Sequence, residues 1–158
     1  MSGFDRRALR DACGSFATGV TVISTTTEDG DHGMTANAFM SVSLDPPLIS
    51  ISLDRNSRMR DKVRRSGRYA VSILPREMEH VALHFAGRHD PTLGDIFDRI
   101  NDMPVVPGAV AVLLTEVEQE VEAGDHTLFI GRVTHLERVP GAAPLLFCGG
   151  RFGSVSHG

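Results

Sequence analysis

Gly124-Asp125-His126 places a glycine, a carboxylate and an imidazole directly ahead of Thr127-Leu128-Phe129-Ile130, an apolar, β-favouring run. Such a tripeptide is either a turn whose histidine bonds a neighbour, or a turn that holds the ring toward a reacting group. Asp125 could fix the turn or orient the ring. A second stretch, "GMTANAF" (33 to 39), sets Thr35 and Asn37 between two strands where a plain hairpin needs only two residues of turn. Asn37 could occupy a left-handed turn position, or the loop could present backbone N–H groups, a hydroxyl and an amide to a flat heteroaromatic ring with polar edges. The third is "RNSRMRDKVRRSGR" (55 to 68), where seven Lys and Arg face Asp61 alone. A solvated helix face accounts for most of these. A Ser-capped helix start at Asn56, Ser57 and Arg58 is also an anion seat, because free N–H groups and the helix dipole favour a phosphate.

Other patterns carry less. His80 and His84 are four apart on an expected helix, but "HVALH" lacks the glutamate of a zinc-protease helix and has no evident third ligand, so no metal site is expected. "GSVSH" (153 to 157) is not a nucleophile elbow. No GxGxxG follows a strand and no GxxxxGK[ST] occurs, so any nucleotide is held by other means than a Rossmann domain or P-loop. Net charge is -4 and the chain is acidic outside residues 55 to 68, which argues against nucleic acid or an anionic membrane as partner. Cys13 and Cys148, far apart and outside any metal spacing, read as reduced thiols. With no apolar run long enough for a signal or a span, a cytoplasmic protein is expected.

The elements that must position these residues are short. Asp5 caps a helix to about Ala17 with Ala8, Leu9, Ala12, Cys13 and Phe16 on one face. Strands follow at 20 to 27, 38 to 44 and 48 to 54, with "EDGD" as a hairpin turn and Asp45-Pro46-Pro47 as a break. A Ser57-capped helix runs to Ser66, a strand covers 68 to 74, and a helix covers 76 to 86. Residues 87 to 108 read as a long connection with at most a short helix near 93 to 100. The segment 110 to 122 fits a helix or a strand; alternation of Glu116, Glu118, Glu120 and Glu122 favours the solvated side of an antiparallel strand. "HTLFIGRVTHLERV" and "PLLFCGGRF" complete the strands. One domain over 1–158, mainly β and forming a closed or nearly closed antiparallel barrel with a few helices, is expected.

Taken together, "GVTVIST", "GMTANAFMSVSLDPPLISISLD", "NSRM", "GRYAVSIL", "HFAG", "EAGDHTLFIGRV" and "PLLFCGGRF" resemble the flavin reductase component of two-component flavin-dependent monooxygenases, over residues 10 to 153. The resemblance implies an antiparallel Greek-key split barrel, a homodimer, that binds FMN or FAD, accepts hydride from NADH or NADPH and releases reduced flavin to a separate monooxygenase. It places Thr35, Ala36, Asn37, Ala38 and Phe39 along the flavin ring. Ser52, Leu53, Asp54, Asn56 and Ser57 would lie on its chain and phosphate, beside Arg58 of the anion seat. Phe85, Ala86 and Gly87 would lie near its distal part. His126 of the Gly124-Asp125-His126 motif would be the catalytic residue beside the nicotinamide, with Gly150, Arg151 and Phe152 bordering the same nucleotide. Relatives often have tyrosine at the position of Phe152, so ring stacking is kept and a hydrogen bond is not. A non-catalytic flavin-binding module would keep the Thr35–Asn37 loop and Ser57 but have no use for His126.

Overall fold

Val20 through Thr25 are buried without a break, which a strand achieves only when both its faces are covered. The covering layers are visible in a computed structural model that describes residues 3–156. The chain runs α1 (Arg6–Gly14), β1 (Thr18–Gly19), β2 (Thr21–Thr27), β3 (Gly30–Ala36), β4 (Phe39–Leu44), β5 (Pro47–Asp54), α2 (Arg58–Ser66) and β6 (Arg68–Ile73). It continues with α3 (Glu79–His84), β7 (Asp98–Ile100), β8 (Met103–Val105), β9 (Ala111–Ala123), β10 (His126–Arg138), β11 (Leu145–Cys148) and β12 (Arg151–Ser154).

Seven strands form one antiparallel sheet in the order β3-β2-β6-β9-β10-β5-β4. Its edge strands β3 and β4 are consecutive in the chain, joined by Asn37 and Ala38 alone. The sheet must therefore curl until its edges meet, and that closure makes the barrel. Each end of that bridge is fastened to its own neighbouring strand: Thr21 Oγ1–H of β2 donates to the Ala36 carbonyl (2.7 Å) and the Ser52 N–H of β5 to the Ala38 carbonyl (3.2 Å). The return from β5 through α2 to β6, beside β2, is the Greek-key crossing, and the architecture is the split barrel that the sequence led us to expect.

Inside lie Ile23, Ile51, Leu53, Tyr69, Val71 and Phe129, with Met59 and Val63 of α2 closing one end. Burial of each such side chain is worth roughly 1.5–3 kcal/mol. The Tyr69 hydroxyl donates to the Phe129 carbonyl at 2.9 Å, and burial pushes its phenol well above the ordinary range. Outside β2 and β6, the β7–β8 hairpin packs Met103 and Val105 on Ala70, Val112 and Leu114, while α3 packs Val81 and Ala82 on Val20, Val22 and Leu74. These outer layers bury the second face of β2. β1, β11 and β12 form a separate small sheet.

Residues 111 to 123 are a strand, as the alternating glutamates indicated, and those glutamates do more than meet water. Glu116 and Glu118 pair with Arg132, Glu120 with Arg64, and Glu122 with Arg60 and Arg64. Three expectations need correction. The short helix near 93 to 100 is instead a 3-10 turn at Pro91–Leu93 followed by the β7–β8 hairpin. Its two-residue turn, Asn101-Asp102, has φ of 49° and 65°, values that Asn and Asp tolerate best among non-glycine residues. The helix expected over 76 to 86 is a 3-10 turn at Arg76–Met78 and then α3. The first helix ends at Gly14 and buries none of its residues, so its apolar face finds no core among the described residues.

Gly131 lies where β10 presses on its neighbours: a Cβ there would stand 2.8 Å from Thr115 Cβ and 2.9 Å from the Tyr69 hydroxyl. Gly131→Ala is expected to cost about 1–3 kcal/mol and to lower the melting temperature by roughly 3–10 °C. Gly153→Ala, which meets nothing within 4 Å, should leave it unchanged in the same calorimetric scan.

Candidate functional site

The barrel seam is where the site assembles. Thr35, on β3, donates its hydroxyl to the Ala82 carbonyl at 2.6 Å and its N–H to the Phe85 carbonyl at 3.2 Å, fastening the end of α3 against the strand. Two residues back, the bare backbone of Gly33 admits the Phe85 and Phe97 rings, which stack with centroids 5.2 Å apart; a Cβ on Gly33 would lie 2.7 to 2.9 Å from both. Phe85 and Ala86 are thereby set beside the seam loop. A pocket of about 180 Å³ results, lined by Val20, Thr35, Ala36, Asn37, Ala86, Phe147 and Phe152. Five of these were expected from sequence; Val20 and Phe147 were not. The clue to Phe147 was its spacing of two from the buried Leu145, since its ring packs 5.2 Å from that of Phe152 across the β11–β12 pair. Because Phe152 lines the pocket, Arg151, the preceding strand residue, points to the opposite face.

A second group lies along β5. β4 pairs with β5 only as far as Ile51, opposite Phe39, so Ser52, Leu53 and Asp54 form an edge next to Ala38. Leu53 is 1% exposed and can offer a ligand only backbone. Asp54 turns the chain into α2: its carboxylate accepts the Asn56 N–H (2.8 Å) and its carbonyl the Ser57 N–H (3.0 Å). Ser57 Oγ caps α2 by accepting the Arg60 N–H at 3.2 Å. The N–H groups of Asn56 and Ser57 are therefore used within the turn, and those of Arg58 and Met59 have no protein acceptor among the described residues.

The basic helix divides into two sets. Arg60, Arg64 and Arg65 are engaged with Glu122, Glu120 and the Glu28-Asp29 turn. Arg58 and Lys62 have no carboxylate within 4.0 Å among the described residues, and they face His32 of β3. Burial, then the charges of Lys62 and Arg58, hold the His32 imidazole below its ordinary value near 6.5. This is a local excess of positive charge beside the start of α2.

His126 opens β10, opposite Asp54 on β5 and Ala123 on β9. Its neighbour Thr127 is fully buried with Leu53, so alternation turns His126 and Asp54 outward together. Gly124, with φ of 60°, makes the preceding turn. Asp125 Oδ1 lies 2.8 Å from His126 Nδ1, and the hydrogen bond and charge of that ring, with Arg6, keep the Asp125 carboxyl below the usual carboxylate range. The ionised carboxylate accepts from Nδ1–H and leaves Nε2 pointing away. The His126 side chain is 43% exposed, within reach of a ligand.

His84 is used otherwise: its Nδ1 accepts the Asp90 N–H at 2.8 Å and its ring stands edge-on to Phe85. Among the described residues no group of three or more His, Cys, Asp or Glu is placed to hold a metal. His157 lies outside the described residues. Flat apolar walls from Ala36, Ala86, Phe147 and Phe152, with the Asn37 amide on the rim, fit a ring that is apolar on its faces and polar at its edges.

Comparison with known proteins agrees. Residues 13–156 match the family model described as flavin reductase like domain. The chain is 45% identical over 156 residues to an NADH-dependent flavin reductase of a Rhodococcus species, covering 93% of this chain and 85% of that protein. Its structure superposes on flavin reductase PheA2 in its native state with a TM-score of 0.93 at 42% identity, over 98% of this chain and all (100%) of that one. The styrene monooxygenase flavin reductase from Pseudomonas putida S12 gives 0.86 at 39% identity, over 94% and 97% of the two chains. The chain belongs to the flavin reductase family.

His32 supplies a pH signature. Its folded-state pKa is depressed, so the unfolded chain binds more protons just below 6.5 and stability falls as pH drops through that window. His32→Gln should flatten that part of the profile while leaving stability above pH 7 nearly unaltered, as read from urea midpoints across a pH series.

Proposed function

We propose that the protein binds FMN or FAD across the barrel seam, receives hydride from NADH or NADPH laid beside His126, and yields reduced flavin to a separate flavin-dependent monooxygenase. One observation carries the reading: the seam pocket gathers Thr35, Ala36, Asn37, Ala86 and Phe152 from segments far apart in sequence, next to an edge formed by Ser52 to Asp54. When bound, the flavin supplies the ring atom that accepts the hydride. The chain supplies placement. Its apolar walls orient the ring, the Asn37 amide and seam backbone meet the polar edge, and Arg58 and the free N–H groups of the first α2 turn meet the phosphate. His126, held by Asp125, is positioned to bond the nicotinamide carboxamide. Among the described residues no helix is long and apolar enough to cross a membrane, and the relatives named above include one from a styrene monooxygenase system.

A homodimer belongs to the same proposal. Leu44 is 95% exposed and Phe16 78%, with Met40, Val42, Phe4 and Leu9 also outside, and α1 buries nothing within its own chain. A second copy laid over β4 and α1 would remove this apolar surface from water.

Two measurements test these statements. His126→Ala is expected to lower kcat/KM for NADH by about 10- to 100-fold while flavin affinity, from fluorescence titration, stays within about twofold. Unaltered kinetics would remove His126 from the reaction, and failure of the parent protein to oxidise either coenzyme with FMN or FAD present would leave only a flavin binder. Leu44→Asp should convert a dimer into a monomer in sedimentation velocity; an unchanged sedimentation coefficient places the contact elsewhere.

A further inference from the structure

Two arginines, Arg6 of α1 and Arg55 at the start of the basic stretch, contact the turn that carries His126. Arg6, the first residue of α1, sets its guanidinium 3.8 Å from Asp125 Oδ2. Arg55, in the connection from β5 to α2, gives its N–H to the Asp125 carbonyl at 3.0 Å and directs its guanidinium to the Gly124 carbonyl at 3.4 Å and Glu122 at 4.0 Å. Neither is needed by the carboxylate it approaches. Asp125 is already bonded to His126 at 2.8 Å. Glu122 already accepts from Thr127 (2.9 Å), Arg60 (3.2 Å) and Arg64 (3.5 Å). Asp54, facing the same way as His126, is satisfied by the Asn56 N–H. Both cations are also highly exposed, 88% for the Arg6 side chain and 58% for Arg55. Such long, loosely held contacts contribute little to stability and leave the side chains able to swing.

We propose that Arg6 and Arg55 form a two-sided clamp for the pyrophosphate of the nicotinamide coenzyme, closing over the Gly124-Asp125-His126 turn. The inference rests on the placement of the nicotinamide beside His126. A dihydronicotinamide dinucleotide whose ring lies against that imidazole carries its doubly charged pyrophosphate one ribose away from the ring, within reach of the arginines on this turn. Guanidinium groups suit that ligand because their donor fork matches two phosphate oxygens at once. Of the carboxylates nearby, Glu122 is neutralised by Arg60 and Arg64, so its charge opposes a pyrophosphate little. The clamp also gives α1 a purpose, because a helix with no buried residue carries Arg6 to the turn.

The experiment compares NADH with N-benzyl-dihydronicotinamide, a hydride donor that has no phosphate, using Arg6→Gln, Arg55→Gln and the double variant with saturating flavin. Each single change should raise the KM for NADH about 5- to 20-fold with kcat within about twofold, and the rise of KM with salt seen in the parent should flatten. Turnover of the benzyl donor and the flavin dissociation constant should not move. Arg6→Lys and Arg55→Lys, which keep the charge and lose the fork, should fall between the parent and the glutamine variants. An unchanged NADH KM in the double variant overturns the clamp. So does an equal loss with the benzyl donor, or a weaker flavin affinity, which would assign Arg55 to the flavin phosphate instead. The underlying placement fails separately: unaltered kinetics of His126→Ala with both donors would remove it.

Discussion

The two edges of the seven-stranded sheet are consecutive in sequence and separated by only Asn37 and Ala38. That connectivity forces the sheet to curl and forces those two residues to cross the seam without strand partners on both sides. Their carbonyls accept from the Phe39 and Ser52 N–H groups, while their own N–H groups have no protein acceptor among the described residues and are open to a ligand. The Thr21–Ala36 and Ser52–Ala38 bonds anchor the two ends of the crossing to β2 and β5 without consuming the Asn37 amide. A barrel that is closed by a two-residue bridge thus has an apolar pocket at the place where closure is least complete.

The rest of the molecule serves that seam. α2 plugs one end with Met59 and Val63, and its N-terminus is thereby fixed beside the end of β5. The Glu120 and Glu122 pairs with Arg60 and Arg64 hold the helix from the outside. α3 is bound to β3 through Thr35, so the same hydroxyl that would border the flavin also positions Phe85 and Ala86. Gly33 permits this because two aromatic rings occupy the space a side chain would fill. Stability and binding share residues here, which ties the shape of the pocket to the packing of the outer layer.

Charge is distributed with similar economy. Of the arginines on α2, those facing the glutamate-rich strand β9 are spent on holding the helix, while Arg58 and Lys62 remain without a carboxylate among the described residues and face His32. A helix read as uniformly solvated in sequence is therefore split into a docking side and a side with unneutralised charge. The turn at Gly124-Asp125 is flanked in the same manner, with one carboxylate orienting the imidazole and two further cations left over.

Local chemistry made much of this readable in the chain alone. Ser57 as a cap, the alternating glutamates of β9, the β-branched run of β2 and the glycine before Asp125-His126 are each dictated by neighbours within a few residues, and each is found as expected. The resemblance of ordered motifs then pointed to the residues of the pocket. What required the tertiary structure was everything fixed by distance in sequence: that Phe147 stands beside Phe152, that Arg151 turns away, that α1 lacks a core to lie on, and that Arg6 reaches Asp125. The Asn101-Asp102 hairpin was missed because its strands are three residues long, too short for periodicity to register, and they are held by packing on β6 and β9. Propensity and capping act over a turn of chain and leave a trace in residue order, whereas contacts closed across the barrel depend on which distant strands lie side by side, as β2 with β6 and β5 with β10, a choice that no local pattern encodes.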